Sequence, residues 1–513
     1  MKLLFVNPCL RPAAPHRYLP VGLGYVVTAA KVAGFKFDLL DVDIDALSDQ
    51  KVEEYIVRHR YDVILIGSIV THYKWVKWFC RMVKEHHPDC TLIVGNSVAS
   101  SIPEVILQHA PVDVVVLGEA DVTVVEVLQA LNGGRPLGEA YEPEVPILHT
   151  NGTLPATIKG RGIEGIVFRD GKGRLVNNGK RKAVKKIDDL PFPDWDIFDV
   201  ERYIEKCRST AHGTTRYPVE AARVMPVNTA RGCVFKCTFC HYVFWDDPYR
   251  HRSPESVIAE IRRNQQKYGA NYINFWDELT FHKVRPAQKF IDALIEADLG
   301  IHFTAAIRTD LLGCEEAPYE ERLELAHRMK QAGCIAVGFS LESANAEILV
   351  AMNKLVEGEY FGEQVRVLKK AEIISNTSVI FGYPQETRAT IRETLDSCRR
   401  ANIYPSPGFL LPMPSTGMWK HAVDNGYIED IDQYLINITE RQDFSVNMTK
   451  MSDAELKSAV EAELGALASD LGLDFGSSLM KTGGENKHSR NQEVEMHRNT
   501  NDSMNYANVI GSV

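Results

Sequence analysis

The stretch Asn228-Thr-Ala-Arg-Gly-Cys233-Val-Phe-Lys-Cys237-Thr-Phe-Cys240-His241 puts three cysteines inside eight residues, as C-x3-C-x2-C. A loop this short can aim all its sulfurs into one small volume, as a metal cluster requires. A cubane iron–sulfur cluster usually takes four thiolates, so three with no fourth nearby would leave one iron open to a small molecule. A structural zinc site with His241 as fourth ligand is the first competing account. Adjacent residues seldom both ligate one tetrahedral ion, and no second C-x2-C or H-x3-H pair follows. Three unrelated buried cysteines at this density is the second, and weaker, account. The cluster reading is preferred.

The chain has 513 residues, too many for one ordinary domain and enough for two or three. Hydrophobic residues at 45% and charged residues at 25% are ordinary soluble values. The net charge of -10 argues against a non-specific nucleic-acid binder. No run of about 18 apolar residues suggests a membrane span. Met1-Lys-Leu-Leu-Phe-Val-Asn-Pro8 lacks a long apolar region and a cleavage site, and reads as a first strand. Of the ten cysteines, none outside the triplet pairs at ligand spacing. A low-potential cluster and free thiols suit a reducing, cytoplasmic compartment.

Residues 1–135 alternate short apolar runs with amphipathic stretches. Strands are expected at Lys2–Val6, Phe35–Asp41, Asp62–Gly67, Thr91–Gly95 and Asp113–Gly118, with helices near 21–33, 49–59, 73–87, 103–110 and 121–132. Five βα units of this kind predict a doubly wound α/β domain, its parallel sheet covered on both faces. Ligands of such sheets bind beyond the carboxyl ends of the strands, at Asn7–Pro8, Ser68–Tyr73, Gly95–Ala99 and Gly118–Asp121. No G-x-G-x-x-G follows the first strand and no Walker A motif is present, so a nucleotide-binding reading loses ground.

From 136 to 220 the texture is that of a linker, with Pro136, Pro143, Pro146 and Pro155 breaking helices. A hairpin is expected at Gly165–Val176, turning at Asp170–Gly171, followed by the rigid segment Asp189-Leu-Pro-Phe-Pro-Asp-Trp195. Tyr203–Arg216 is polar enough to cover a site. From 221 to 415 six strands are expected, at Val227–Thr229, Tyr272–Phe275, His302–Ala306, Ala336–Ser340, Thr377–Phe381 and Gly408–Leu411, with helices between them. Ser253-Pro254-Glu255 is a good helix start. The pattern suggests a barrel with its chemistry at the C-terminal ends of the strands, and the cysteine loop follows the first strand. A helical region is expected over 416–475, with Ser452 or Asp453 as a cap, and a disordered tail over 476–513.

The cysteine motif, with an aromatic before its last cysteine, resembles the signature of radical S-adenosylmethionine (SAM) enzymes. The N-terminal segment resembles the cobalamin-binding domain fused ahead of many of them. The resemblance there is carried by the strand ending in Asn7-Pro8, by Pro20-Val-Gly-Leu-Gly-Tyr25 and by Leu117-Gly-Glu-Ala-Asp121. Many members have Gly-Gly-x-His after the fourth strand where this chain has Gly95-Asn-Ser-Val-Ala99. Like them it lacks D-x-H-x-x-G, so bound cobalamin would be base-off without that histidine.

The resemblance implies a partial (β/α)6 TIM-like barrel, a [4Fe-4S] cluster on Cys233, Cys237 and Cys240, SAM on the open iron, and cobalamin. It implies SAM contacts from Phe239, Asp277, Glu278, Arg308, Glu342 and Gly382. An acid after the second strand could accept hydrogen bonds from an ammonium. Arg308 could hold a carboxylate bidentately. Cobalamin contacts are expected from Asn7, Ser68, Thr71, His72, Gly95, Asn96, Gly118 and Glu119, though a solvated loop is the plainer place for His72. Arg250 and Arg252 could meet an anionic substrate or the corrin amides, or stand solvated.

The function implied is a cobalamin-dependent C-methyltransferase using SAM both as methyl donor and as radical source, on a small-molecule or natural-product substrate. A low-potential electron donor, flavodoxin or ferredoxin, would be needed. A non-methylating cyclase or rearrangement enzyme shares every motif, and a non-catalytic zinc or iron–sulfur protein is the remaining alternative.

Overall fold

The computed structural model describes residues 1–12, 14–140, 157–211, 218–241, 247–314, 316–439, 443–475 and 479–480. Almost all of the expected tail, residues 212–216 of the polar segment, and three linker prolines lie outside these.

Strands β1 (Leu3–Asn7), β2 (Phe37–Asp41), β3 (Val63–Gly67), β4 (Thr91–Gly95) and β5 (Val114–Val116) pair in parallel, in the order β2-β1-β3-β4-β5. Alternate side chains enter two cores. Leu3, Phe5, Val63 and Leu65 meet the helices Val21–Val32 and Thr123–Asn132; Leu4, Val6, Ile64 and Ile66 meet Tyr73–His86 and Pro103–His109. Both faces are apolar because both are covered, which is why these strands read as continuous hydrophobic runs.

The linker segment belongs partly to this sheet. Strands β6 (Gly138–Ala140), β7 (Thr157–Gly162), β8 (Ile166–Arg169) and β9 (Leu175–Asn177) extend it to nine strands. The β8/β9 hairpin turns where expected, with Asp170 accepting from the Lys172 and Arg174 amides. It pairs β8 antiparallel with β5, covering an edge whose backbone groups would otherwise be unpaired. The Asp189–Trp195 segment then crosses the first helix. Trp195 is fully buried against Gly24, where an added Cβ would stand 2.7 Å from the indole ring. The second glycine of Pro20-Val-Gly-Leu-Gly-Tyr25 is therefore a packing requirement of this crossing.

The second unit begins with β10 (Val224–Val227) and the short ladder of β11 (Ala230–Arg231) with β12 (Arg250–His251). Strands β13 (Tyr272–Phe275), β14 (His302–Ala306), β15 (Cys334–Gly338) and β16 (Ile374–Asn376) follow, all parallel in the order β10-β13-β14-β15-β16. The last pair, β17 (Ser378–Phe381) and β18 (Ser406–Phe409), is also parallel.

Two expectations need correction. The first barrel strand ends at Val227 rather than Thr229, because Pro226 is tolerated on an edge strand and the next backbone amides turn to a carboxylate instead of a neighbouring strand. The expected fifth strand forms as β17, but a separate strand not expected from the sequence, β16, precedes it, and a single bridge from Glu342 to Val379 links β17 to the loop after β15.

One of the C-terminal helices ties the two units together, and another packs within the second unit. Asp453–Asp470, capped by a reciprocal Ser452–Glu455 pair, packs on Arg388–Ala401. Ile431–Asn437 lies against Tyr73–His86, where Asp432 accepts from Tyr73 and Lys77.

Candidate functional site

The cysteine loop is fixed at both ends and along its length. At its start, Asp277 beyond β13 accepts from the Thr229 amide (2.9 Å) and hydroxyl (2.6 Å), the Ala230 amide (3.2 Å) and the Asn228 side chain (3.2 Å). Arg308 stacks its guanidinium 3.3 Å from the centre of the Phe235 ring, between the first two cysteines. The Thr238 amide donates to Met352 O (2.9 Å), and Thr238 O accepts from the Met418 amide (2.9 Å). Asn353 donates to Lys236 O at 2.8 Å. The loops at Asp277, Arg308 and Met352–Asn353, with the helix start at Met418, thus hold the segment between and beside the cysteines.

Cys237 is buried, Cys233 half-buried and Cys240 open on one side. Despite that opening Cys240 is enclosed closely enough that desolvation, ahead of the two neighbouring thiols, pushes it up to about 12. Burial also raises Cys233 and Cys237, while Lys354 and Arg308 oppose it. Cluster assembly must therefore displace protons, aided by these cations. Among the described residues no three His, Cys, Asp or Glu side chains converge on a single-ion site. A cubane spreads its ligands around a cube rather than about one point. The three mutually interacting thiols fit a cluster.

The barrel residues expected to meet SAM divide into two groups. Asp277 has its acceptors occupied by the loop backbone and by Thr280, so its work is to position the cysteine loop. Arg308 pairs with Asp310 (3.0 Å) and donates to Lys354 O (2.8 Å), which makes it a loop clamp rather than an open carboxylate receptor.

The second group faces open space. Glu278 opens onto a cavity while protein surrounds it on most sides; burial, with Asp277 beside it, pushes its carboxyl up to about 7. Glu342 is buried in a left-handed backbone conformation, φ +62°, and one carboxylate oxygen is buried with no partner among the described residues. Its other oxygen lies 3.5 Å from Lys354 Nζ. Glu342 thus combines backbone strain with a buried, unpartnered acceptor beside Cys237 and Cys240, an arrangement that could take donors of a ligand. Phe239 lies under Lys354 at 5.9 Å, and Gly382 adopts φ +105°.

The cavity, about 500 Å³, lies between the two units. Gly67, Gly95, Asn96, Gly118 and Glu119 line one side at the carboxyl ends of the N-terminal strands; Asn228, Arg231, Gly232, Trp276 and Glu278 line the other. A Cβ at Gly95 would meet no protein atom within 4 Å. The glycine strand ends leave the backbone open to a flat, bulky ligand over an apolar floor of Phe5, Leu65, Ile93 and Val116.

The eight residues expected around cobalamin separate here. Gly95, Asn96, Gly118 and Glu119 line the cavity, whereas Asn7, Ser68, Thr71 and His72 do not. Asn7 donates to Asp41 and Tyr203. His72 hydrogen-bonds Ser68 at 3.0 Å and stacks on Trp75, and burial lowers it to about 4. Glu119 is ion-paired to Arg250 and, at 3.4 Å, to Arg231. Arg250 is thereby occupied, and Arg252 pairs with the buried Glu260; neither is solvated or open to an anion.

Sequence reasoning missed three contributors. Arg231 stacks over Tyr25 at 4.7 Å and pairs with Asp121. Lys354 enters from an interhelix loop whose neighbours Asn353 and Leu355 have positive φ. Trp276 walls the cavity opposite the glycines. Arg231 carried a signal, standing two residues before Cys233; Lys354 carried none.

The glycine strand ends of one unit thus face the cysteine loop of the other across one cavity. The radical SAM superfamily profile matches residues 227–398 and the B12-binding domain profile matches residues 11–128. An uncharacterised methyltransferase of Pyrococcus horikoshii is 24% identical over 436 residues, covering 83% of this chain and 84% of that protein. An anaerobic magnesium-protoporphyrin IX monomethyl ester cyclase of Rubrivivax gelatinosus is 25% identical over 444 residues, covering 85% and 72%. The solved structure of the radical SAM methyltransferase TsrM from Kitasatospora setae shares the fold, with TM-score 0.65 at 15% identity over 98% of this chain and 99% of that one.

The chain belongs to the radical SAM enzymes that carry a cobalamin-binding domain. Its cofactors are a [4Fe-4S] cluster, SAM and cobalamin. No helix among the described residues is long and apolar enough to cross a membrane.

Proposed function

We propose that this enzyme is a cobalamin-dependent C-methyltransferase acting on an unactivated carbon of a small-molecule or natural-product substrate. The observation that carries the reading is the shared cavity, about 500 Å³, which brings the glycine strand ends of one unit to the cluster loop of the other. When bound, the three cofactors supply an electron, a carbon-centred radical able to remove a substrate hydrogen, and a methyl group.

In this reading Cys233, Cys237 and Cys240 hold the cluster. Glu342 and Glu278 accept hydrogen bonds from SAM, Phe239 lines its adenine side, and Gly382 turns the backbone beside it. Gly95, Asn96 and Gly118 receive the corrin, with Glu119 acting through Arg231 and Arg250. Asp277 and Arg308 hold the loop in register. The electron comes from a low-potential carrier, flavodoxin or ferredoxin, and nucleic acid is not a partner. Ten cysteines without a disulfide support a reducing, cytoplasmic setting.

Anaerobic reconstitution with iron, sulfide and cobalamin, followed by product mass analysis, tests this. Methylation adds one CH2 unit per transfer. Product without that gain would instead favour cyclisation or rearrangement, a reading supported by the similarity to the Rubrivivax cyclase. Each of Cys233→Ala, Cys237→Ala and Cys240→Ala should abolish both cluster absorbance and SAM cleavage, and retention of either would contradict the ligand assignment.

A further inference from the structure

We propose that the segment Lys180–Lys186 is the docking surface for an acidic, low-potential one-electron carrier protein. The inference rests on the radical reading above, which requires an external electron. Five of these seven residues are cationic, Lys180, Arg181, Lys182, Lys185 and Lys186, in a chain whose net charge is -10. An acidic partner would be repelled by most of this protein, so a local cationic field is needed to bring it in at one place.

The segment is tied at two points to the stretch that follows the cluster loop. On one side, Arg250 donates to Val184 O at 2.6 Å, and β12 pairs Arg250 with Arg231, two residues before Cys233. On the other, Lys180 pairs with Asp247 at 3.1 Å, seven residues after Cys240. Arg181 is matched by Glu126, and Asp188, just beyond the run, is turned to the Ser253 amide. Lys182, Lys185 and Lys186 are exposed and make no ion pair among the described residues. They form an unmatched cationic triplet on a segment tied to the residues that follow the cluster loop.

In the proposed step one electron leaves the reduced carrier and enters the [4Fe-4S] cluster, the carrier being oxidised and the cluster reduced by one electron each, with no proton or leaving group transferred.

The test compares reconstituted wild type with K182E/K185E/K186E and the neutral K182Q/K185Q/K186Q. Formation of 5′-deoxyadenosine is driven by reduced flavodoxin, by dithionite, or by reduced methyl viologen; the two small reductants differ in charge sign. The expected result is a fall of about tenfold or more in kcat/KM for flavodoxin in the charge-reversed variant, a smaller fall in the neutral one, and unchanged rates with both small reductants. Raised salt should depress the wild-type flavodoxin rate and leave the charge-reversed rate flat. An unchanged flavodoxin rate overturns the proposal. So does an equal fall with all three reductants, which would place the segment in structure or substrate binding. Wild-type RNA binding at physiological salt, lost in the variants while flavodoxin rates persist, would reassign the surface to nucleic acid. Wild type that forms no 5′-deoxyadenosine with any reductant would instead sink the radical reading itself, and this inference with it.

Discussion

Asp121, at the end of the N-terminal sheet, holds Arg231 of the cluster loop through two hydrogen bonds of 2.8 and 3.1 Å. Burial alone would lower the Arg231 pKa; the adjacent Asp121 and Glu119 outweigh it and keep it above the ordinary arginine value. The pair fixes the cobalamin unit to a point two residues from Cys233. Any change in its geometry is felt on both sides of the cavity.

Asp121→Asn should therefore destabilise the assembly. Breaking a buried pair typically costs about 3–5 kcal/mol, and the low end applies here because Glu119 stays 3.4 Å from Arg231. Thermal unfolding of the apo-protein should show the loss. A midpoint within about one degree of wild type would mean that the pair is energetically idle.

Asp277→Asn separates positioning from cofactor contact. With its oxygen kept on the Thr229 and Ala230 amides, the Asn side chain would put an NH2 group where Asp277 accepts from the Thr229 and Thr280 hydroxyls, and the loss of charge would weaken every bond to the loop, at a cost of about 1–3 kcal/mol. Iron incorporation on reconstitution should fall, and Asp277→Glu should not restore it, because the longer side chain cannot reach Thr229 and Ala230 in the same register. Protein that does take up iron should bind SAM normally. Full iron content with weakened SAM binding would return Asp277 to the cofactor.

What the sequence made legible and what it hid follow from range. The βα alternation in 1–135 locates all five parallel strands, because hydrophobic period is a local property and Leu3–Val6 carries it within four residues. The cysteine triplet is local too. Asp277 could be placed at the barrel mouth yet not given its work, since an acid after a buried strand looks the same whether it meets a ligand or a loop amide 48 residues upstream. Lys354 reaches Glu342 from a loop between helices, in strained backbone that leaves no pattern. His72 followed the strand-end rule correctly, and its imidazole then turned to Ser68 and Trp75.

Gly95→Leu should leave the fold intact and remove the ligand. The position has space for a Cβ and lines the cavity, so the added side chain projects where a corrin would lie. Stability should change by less than about 1 kcal/mol, as at a site with no packing to disturb. Cobalamin retained after gel filtration should drop at least tenfold, while iron content and SAM cleavage persist. Undiminished cobalamin would mean that the corrin sits elsewhere.

Glu386 gives a pH dependence whose sign is opposite to that of a salt-bridged acid. Burial pushes its carboxyl from 4.5 up to about 7, although Thr390 and the Gly382 amide donate to it. Between those values the folded state binds a proton that the unfolded state has released, so stability falls as pH rises through that window. The full difference corresponds to about 3 kcal/mol. Glu278 acts in the same direction but opens onto the cavity, where water screens it and its share is smaller. Glu386→Gln keeps a neutral acceptor for Gly382 and Thr390 at every pH. Wild type should lose stability from pH 5 to pH 8 in urea titrations, and the variant should lose less and overtake it at the upper end. Parallel curves for the two proteins would show that the Glu386 carboxyl titrates in its ordinary range.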